Sequence, residues 1–476
     1  MSYTQLALNL LDPKCKIFHL HPSSLMKIRF FPLIIPSLLC FSLCLCQIAC
    51  SDTLNVSDDE GETADNSSAD SEEGDGSEES DTVRTVLVYM AAQNSLGKYN
   101  YHEADSAEIM AAKDQLSNEK QLLIFIDVDT APVLYKVTAE ADEPEVLYTW
   151  ENDVCSTNPE VFQEVLEKMV EFCPSDEYGL VMWSHADGWL PATETDYDAF
   201  TETVSTASSL LAFGIDSGPN GNLGDSGAQM DIADMAAAIE AVGVKMKFIF
   251  FDACLMQGLE VAYELKDVTE FLVAAPIATP GAGSYYTHQI KTGFFSSDPA
   301  DIARQYMEDV QDPELTYDYS DFGLVISCIR TDRLEALAEA FKAALPNSVL
   351  AEKNSPDMTD VLNYQAYTST YYYRPHNYDA LQSIRLIFAE EDVDAVEQAL
   401  NNILTYYAAT ETFYIGPGYW DMQTVPVDED AFRSVSMFVP QTIYSTYAVR
   451  CKYGNLNTAF QNTAWYKAAG WEATGW

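Results

Sequence analysis

The chain has 476 residues, of which 47% are hydrophobic, so it can bury one large core or two modest ones and is not a disordered protein. Its formal net charge of −49, from 25 basic and 74 acidic residues, repels phosphate backbones and argues against nucleic-acid binding. The same charge attracts cationic substrates or serves only to keep the protein soluble.

The N-terminal segment has the pattern of a secretory signal. Residues 26–50 read MKIRFFPLIIPSLLCFSLCLCQIAC, in which Lys27 and Arg29 precede an apolar run and a small residue precedes Cys50. The end of this segment resembles a bacterial lipoprotein signal, which implies that Cys50 is acylated and becomes the new N-terminus. Cys46 is the second choice for this role, and a retained signal-anchor helix is the alternative.

These features predict three segments before the folded part. Residues 1–25 are a non-native extension, with translation beginning at Met26, and residues 26–49 are a signal peptide. Residues 50–81 are a lipid-anchored tether, which stays disordered because its 13 acidic residues are accompanied by no Lys, Arg or aromatic residue. A lipid anchor predicts an extracytoplasmic protein of the bacterial cell envelope, bound to the membrane at the outer membrane or cell surface.

From residue 82 onward, short apolar runs alternate with amphipathic segments. In chain order, the patterns predict a strand over 83–96 that ends in a polar loop, a helix over 106–117, a strand over 121–129, a hairpin of 133–138 and 145–150, a helix over 158–173, a strand over 178–184, a Gly/Ser/Asp-rich loop, a helix over 232–243, a strand over 247–253, a helix over 258–267 and a strand over 270–276. Buried strands separated by helices predict an α/β fold with a mostly parallel central sheet. We assign 82–300 to the core of this fold and 301–476 to a C-terminal α/β region that completes it.

The cysteines of the folded part do not have the spacing of a metal site. They are Cys155, Cys173, Cys254, Cys328 and Cys451. Without a CxxC or Cys/His ligand spacing, the sequence predicts no zinc or other metal site among them. Because five is an odd number, at least one thiol is free unless two chains pair, and Cys328 is expected to be a small core residue.

Two motifs place a histidine and a cysteine directly after predicted strands. They are WSHADGW at 183–189, with His185, and FFDACLM at 250–256, with Cys254. In a parallel α/β sheet, ligands bind beyond the carboxyl ends of the strands, so both side chains are expected at that edge. A cysteine thiolate is a strong nucleophile near neutral pH and a histidine can accept its proton, so the pair fits a nucleophile and its base. Simple packing of Cys254 at the end of a buried strand is the alternative.

Both motifs resemble those of the clostripain family of cysteine peptidases, which belongs to the clan of caspases, legumains and gingipains. The resemblance extends to VLVYMAAQNSL, MDIADMAAAI, PGAGSYY, LVISCIRTDRLEALAEAF and SVSMFVP, and so covers most of 82–476. It implies a caspase-like α/β/α sandwich in which His185 is the general base and acid and Cys254 is the nucleophile. It also implies an oxyanion hole formed by the backbone N–H groups of Cys254 and Ala186, and a pocket in which Asp252 binds a basic side chain at P1, the residue before the cleaved bond.

Several positions depart from the pattern of the family. Ala282 stands about where some members have a second pocket acid, and Ser284 replaces the usual aromatic residue. Asp187 would favour the protonated imidazole of His185 if the two side chains meet. Several relatives activate themselves by cutting after a basic residue between the two motifs, but residues 186–244 contain no Lys or Arg, so we predict a single intact catalytic chain.

The sequence therefore predicts a cysteine endopeptidase that cleaves protein or peptide substrates after Arg or Lys. The alternative is a catalytically silent peptidase-fold module that binds a protein or glycan partner through an acidic, tyrosine-rich surface, with its densest tyrosine run at 363–378 and His376 as a loop or core residue. No cofactor follows from the residues themselves. Because relatives include calcium-dependent enzymes, the loop 214–225 is a candidate source of calcium ligands, although it lacks a recognisable ligand register.

Overall fold

A central β-sheet and the helices packed on it form the folded part of the chain. The computed structural model describes residues 82–190, 212–218, 223–225, 227–315, 322–365, 368–369, 372–373, 376–415, 422–426, 428–446 and 455–476. All of these residues lie in the compact unit that begins at Ser77.

Strands and helices alternate along most of this unit. The strands are β1 (Arg84–Ala91), β2 (Lys120–Asp127), β3 (Val133–Val137), β4 (Glu145–Thr149), β5 (Glu177–Trp183), β6 (Ala212–Asp216), β7 (Ala228–Asp231), β8 (Met246–Asp252), β9 (Thr269–Ala274), β10 (Val325–Arg330), β11 (Thr368–Ser369), β12 (Tyr372–Tyr373), β13 (Tyr378–Asp379), β14 (Leu404–Ala409), β15 (Thr412–Tyr414), β16 (Met422–Thr424) and β17 (Ser436–Met437). The α-helices are α1 (Ser95–Lys98), α2 (Tyr101–Ala111), α3 (Pro159–Phe172), α4 (Ile232–Val242), α5 (Leu259–Leu265), α6 (Tyr286–His288), α7 (Ala300–Gln311), α8 (Leu334–Ala344), α9 (Ala380–Ile387), α10 (Glu390–Ile403), α11 (Thr442–Thr446), α12 (Leu456–Phe460) and α13 (Ala464–Ala468).

The largest sheet has nine strands in the order β14-β10-β9-β8-β5-β1-β2-β3-β4. Its five middle strands, from β9 to β2, run parallel to one another. The β3–β4 hairpin adds two antiparallel strands at one edge, and β10 and β14 add two at the other. The predicted α/β fold with a mostly parallel central sheet is therefore confirmed.

Helices cover both faces of this sheet. Alternate residues of β1 point to opposite faces: Leu87 and Tyr89 enter one hydrophobic core, whereas Val86 and Val88 enter the other. Helices α3, α4, α5, α8, α9 and α10 pack on the first face, and α2 and α7 pack on the second. Because both faces are covered, β1 is a continuous apolar run in the sequence, and the layers form the expected α/β/α sandwich.

Most predicted boundaries lie within one or two residues of the observed ones, but two predictions were wrong. The helix predicted over 106–117 runs over Tyr101–Ala111, because Asn100 takes the left-handed conformation (φ 62°) directly before it and Ala112 leaves helical geometry after it. The Gly/Ser/Asp-rich loop contains β6 and β7, which pair with each other as an antiparallel ribbon. These two strands are too short for their alternation to be recognised in the sequence.

The C-terminal part of the chain is packed into the body of the molecule. Trp465 and Trp471 are fully buried, as expected of an apolar tail, and His376 is buried as well. Part of the tyrosine run predicted as a binding surface, residues 366, 367, 370, 371, 374 and 375, lies outside the described residues, and Tyr364 and Tyr378 of this run are buried. None of the helices in the described ranges combines the length and the apolarity needed to cross a membrane.

The described cysteines are all free thiols. Cys155, Cys173 and Cys328 are buried, and Cys328 belongs to the core as predicted. Cys254 is the partly exposed one of the four, and Cys451 lies outside the described residues. Among the cysteines that the structure describes, Cys254 is therefore the one that a solute can reach.

Candidate active site

The ends of two neighbouring parallel strands bring His185 and Cys254 together. β5 and β8 pair side by side, with Trp183 opposite Asp252, and the histidine and the cysteine each follow two residues later. Both side chains line one cavity of about 130 Å³, together with Leu96, Trp183, Ser184, Asp252, Thr279, Pro280, Gly281 and Gly283. The structure thus brings together His185, Cys254 and Asp252 at the edge where the sequence places them.

The Cys254 thiol is held by the segment that follows β9. The Thr279 N–H donates to Sγ at 3.3 Å, and the Thr279 hydroxyl lies 3.7 Å from the same atom. Burial raises the pKa of the thiol, and the negative charges of Asp187 and Asp252 raise it further, whereas the contacts with Thr279 lower it. The resting thiol is therefore protonated near neutral pH, and a nucleophilic reaction needs a base beside it.

The loops that carry the two motifs approach each other closely, and their backbone conformations permit this. Leu255, directly after the cysteine, has a positive φ of 67°, which is a strained conformation for a leucine. A Cβ on Gly188, which also has a φ of 67°, would lie 2.7 Å from the Leu255 carbonyl oxygen, so only glycine fits where the two loops touch.

Ala186, the residue after the histidine, lies in an unstrained backbone segment. It is not one of the described residues with positive φ, so this alanine carries none of the strain found at Leu255. It forms a bridge with Phe213 of β6, and the Gly214 N–H donates to the His185 carbonyl at 2.8 Å. β6 therefore fixes the backbone of the histidine loop.

The ring of His185 contacts two side chains that the sequence did not indicate. Its Nε2 atom lies 3.0 Å from the Ser95 hydroxyl and 3.2 Å from the Asp225 carboxylate. The side chain of His185 is 31% exposed, so it is reachable from the cleft. Asp187 was the sequence candidate for a carboxylate at this ring, and the structure places Asp225 on the ring nitrogen.

Asp252 forms the floor of the cavity, and only 5% of the residue is exposed. Its carboxylate accepts hydrogen bonds from the Ser284 N–H (3.1 and 3.2 Å) and from the Tyr286 hydroxyl (3.0 Å). Burial raises the pKa of this carboxyl to about 6, although both hydrogen bonds lower it. A Cβ on Gly283, at φ 63°, would lie 2.6 Å from the same carboxylate, so this glycine lets the loop close over the acid.

Two further acids lie behind Asp252 on helix α2. Glu108 accepts the Tyr286 N–H at 2.9 Å, and burial raises its pKa to about 7. Asp105 accepts the indole N–H of Trp183 at 2.7 Å, and burial again raises its pKa well above the usual range. Ala282 packs against the core. Asp105 and Glu108 are three residues apart on one helix and so lie on the same face, and this spacing could have indicated them in the sequence.

The described part of loop 214–225 does not gather its carboxylates into a calcium site. Asp216 accepts the N–H groups of Ser156 (2.7 Å) and Gly218 (2.9 Å), whereas Asp225 accepts the Ser95 N–H at 3.0 Å. Within the described ranges, no three His, Cys, Asp or Glu side chains come together as a metal site. The two described carboxylates of this loop therefore do not share a site for a calcium ion, and we derive no catalytic step from one.

Comparisons with known proteins agree with this geometry. The sequence model of the clostripain family matches residues 88–474, which is most of the folded part. The chain belongs to the clostripain family. No curated protein sequence matches it closely enough to add a more specific relative.

Solved structures of this family share the fold. A secreted C11 cysteine protease from Bacteroides thetaiotaomicron, in complex with an irreversible peptide inhibitor, is 25% identical, with a TM-score of 0.64 over 82% of this chain and 99% of that one. An inactive zymogen C11 protease from Parabacteroides distasonis is 24% identical, with a TM-score of 0.62 over 82% and 98% of the two chains. This member of the clostripain family is therefore a cysteine-type peptidase, a hydrolase of peptide bonds.

Proposed function

We propose that this clostripain-family peptidase is an endopeptidase that cleaves after Arg or Lys and uses Cys254 as nucleophile and His185 as general base and acid. The proposal rests on one observation: a thiol, an imidazole and a buried carboxylate line the same small cavity. A carboxylate at the floor of such a cavity attracts a cationic side chain and binds an Arg guanidinium through charge-assisted hydrogen bonds.

The reaction follows from the chemistry of these groups. His185 takes the proton of the Cys254 thiol, and the sulfur attacks the carbonyl carbon of the P1 residue. The backbone N–H groups of Cys254 and Ala186 donate to the oxygen that becomes negative. His185 then protonates the leaving amine, a thioester remains on the sulfur, and a water molecule deprotonated by His185 hydrolyses the thioester.

Asp252 gives the pocket its preference for a basic residue. Its carboxyl shares the cavity with Cys254, and it already accepts hydrogen bonds from the Ser284 N–H and the Tyr286 hydroxyl. These donors orient the carboxylate, and a guanidinium or ammonium in the cavity compensates its negative charge. Ala282 supplies no second acid, and Asp252 is the one carboxylate in the described lining of the cavity, so the proposed preference depends on it.

Turnover of a peptide panel tests the proposed specificity. The full-length chain is incubated with fluorogenic peptides that differ only at P1, which is Arg, Lys, citrulline, Leu or Glu. We expect kcat/KM to be highest for Arg and Lys, at least about 10-fold above citrulline, which keeps the shape of Arg without its charge. Equal or better cleavage after Leu or Glu would leave a cysteine peptidase but reject the Asp252 pocket.

We also propose that the peptidase is held at the bacterial cell envelope, outside the cytoplasm, by a lipid on Cys50. The signal-like residues 26–50 support this location, and the similar protease from Bacteroides thetaiotaomicron is described as secreted. Residues 1–81 lie outside the described part of the chain.

Mass spectrometry of the membrane fraction checks this anchor. We expect a diacylglycerol-modified peptide that begins at Cys50, and we expect Cys50→Ala to lose membrane association while Cys46→Ala keeps it. An unmodified peptide that spans residue 50 in the mature protein would show that this cysteine is not the anchor.

A further inference from the structure

The imidazole of His185 already has partners on one of its two ring nitrogens. Ser95 Oγ and Asp225 Oδ1 lie 3.0 and 3.2 Å from Nε2. The backbone N–H of Ser95 donates to the same Asp225 oxygen at 3.0 Å, which ties the two partners to each other. Asp225 is not part of the lining of the cavity that contains Cys254, so its contact with the ring is made outside that cavity.

The segment that carries Ser95 is held in place by Asn94, which is fully buried. Its side-chain amide donates to the carbonyls of Ala91, at the end of β1, and of Ile215, in β6, both at 2.9 Å. Its side-chain oxygen accepts the Leu96 N–H at 2.9 Å and so starts helix α1. Asn94 thus joins the start of helix α1, where Ser95 lies, to β6, and the Ser95 N–H in turn binds Asp225.

The negative charge at this contact belongs to the carboxylate of Asp225. The hydrogen bond from His185 holds the pKa of Asp225 well below its usual range, and the contacts with Ser95 contribute in the same direction. Asp225 therefore remains ionised over the whole pH range in which a cysteine peptidase works. An ionised carboxylate beside a ring nitrogen favours a proton on that nitrogen and stabilises the protonated ring, and solvent weakens the effect here because the side chain is 53% exposed.

We propose that Asp225 and Ser95 are positioning residues that keep a proton on Nε2 of His185 and so reserve Nδ1 for the reaction. This inference rests on the proposed function of His185 as base and acid. It adds two side chains to the His185–Cys254 pair, Ser95 from helix α1 and Asp225 from the loop between β6 and β7, and neither of the two motifs contains them.

The proton transfers then run through one nitrogen. Nδ1 takes the proton of the Cys254 thiol as the S–C bond forms, and it gives that proton to the leaving nitrogen as the C–N bond breaks. In the second half, Nδ1 takes a proton from the attacking water and returns it to sulfur as the C–S bond breaks. Throughout, the Nε2–H group donates to Asp225 and Ser95, so the ring carries its positive charge against a carboxylate.

Substitution of Asp225 by Asn tests this role. We expect kcat to fall about 10-fold with KM nearly unchanged, because the ring loses orientation and charge stabilisation but the substrate pocket is untouched. We also expect the pH profile of kcat/KM to change, because the variant removes a negative charge that lies 3.2 Å from the ring of His185. Among the described residues, the other ionisable groups near the ring are Cys254 and Asp252 across the cavity and Asp187 in the same loop, and all three are kept in this variant.

Three further variants separate this role from a general loss of structure. Asp225→Glu keeps the charge and is expected to recover part of kcat, and Ser95→Ala is expected to lower kcat less than Asp225→Asn. Asp332→Asn is the matched control, because its side chain is equally exposed (54%) and pairs with Arg330 at 2.7 Å, at the opposite end of the sheet. We expect it to leave the pH profile unchanged.

The outcomes distinguish this inference from the proposed function. An active wild type with an unchanged profile in Asp225→Asn, at an unchanged melting temperature, overturns the positioning role and leaves the peptidase intact. A higher kcat/KM in Asp225→Asn also overturns it, since the carboxylate would then obstruct the histidine. Loss of all turnover in the wild type would instead reject the proposed function.

Discussion

Replacement of Cys254 by Ala is expected to abolish peptide hydrolysis, with a loss of kcat of about 10⁴-fold or more. The sulfur forms the covalent bond to the substrate, and no other described thiol is reachable from the cavity. The substitution removes one atom from a partly exposed position, so the melting temperature should change little. The measurement is turnover of the Arg peptide beside circular dichroism of both proteins.

A second cysteine provides the control for this result. Cys328 lies in the core strand β10, and burial raises the pKa of its thiol to about 12, so it is an inert packing residue. Cys328→Ala should lower stability by about 1 kcal/mol and leave kcat unchanged. Residual activity of Cys254→Ala within 10-fold of the wild type would mean that the nucleophile lies elsewhere.

Replacement of Asp252 by Asn is expected to reduce kcat/KM for Arg and Lys peptides by about 10²-fold. Loss of a desolvated charge pair of this kind costs about 3 kcal/mol. The citrulline peptide should be cleaved about as well as by the wild type, because Asn keeps an oxygen for the Ser284 N–H. If kcat/KM falls equally for the Arg and the citrulline peptides, Asp252 is a structural cap of β8 and not a specificity residue.

The pH dependence gives an independent check of the same carboxyl. The pKa of Asp252 is raised to about 6 by burial, so below pH 6 the free pocket is increasingly neutral and loses its attraction for a cation. In the wild type, the ratio of kcat/KM for Arg to that for citrulline should therefore fall as the pH drops through about 6. Because Cys254 and His185 act on both peptides, their contribution to the pH dependence cancels in this ratio. In Asp252→Asn the ratio should be independent of pH.

The parts of the site that the sequence indicates are those that depend on local pattern. His185 and Cys254 each follow an apolar strand by two residues, and the rule for parallel sheets puts such residues at one edge. The register of β5 against β8 then makes them neighbours. Asp252 follows from the same register, because it is the last residue of β8.

The parts that the sequence does not indicate depend on contacts between distant segments. Ser95 and Asp225 are 130 residues apart in the sequence, and they meet at His185 through contacts between distant segments, such as the hydrogen bond from the Ser95 N–H to Asp225 and that from Asn94 to Ile215. Neither residue belongs to a pattern of period two or 3.6, so periodicity could not reveal them. The same reason explains why β6 itself was predicted as a loop, although its pairing with the histidine loop shapes the site.

Covalent labelling tests the central claim, that Cys254 is the nucleophile of a pocket for basic residues, most directly. The full-length chain is treated with a peptidyl chloromethyl ketone that carries Arg at P1, and the modified peptide is identified by tandem mass spectrometry. The account predicts one adduct on Cys254 of an otherwise intact chain, formed much more slowly by His185→Ala and by Asp252→Asn. An adduct on another cysteine would contradict it, as would an equal labelling rate with the same chloromethyl ketone carrying citrulline instead of Arg at P1.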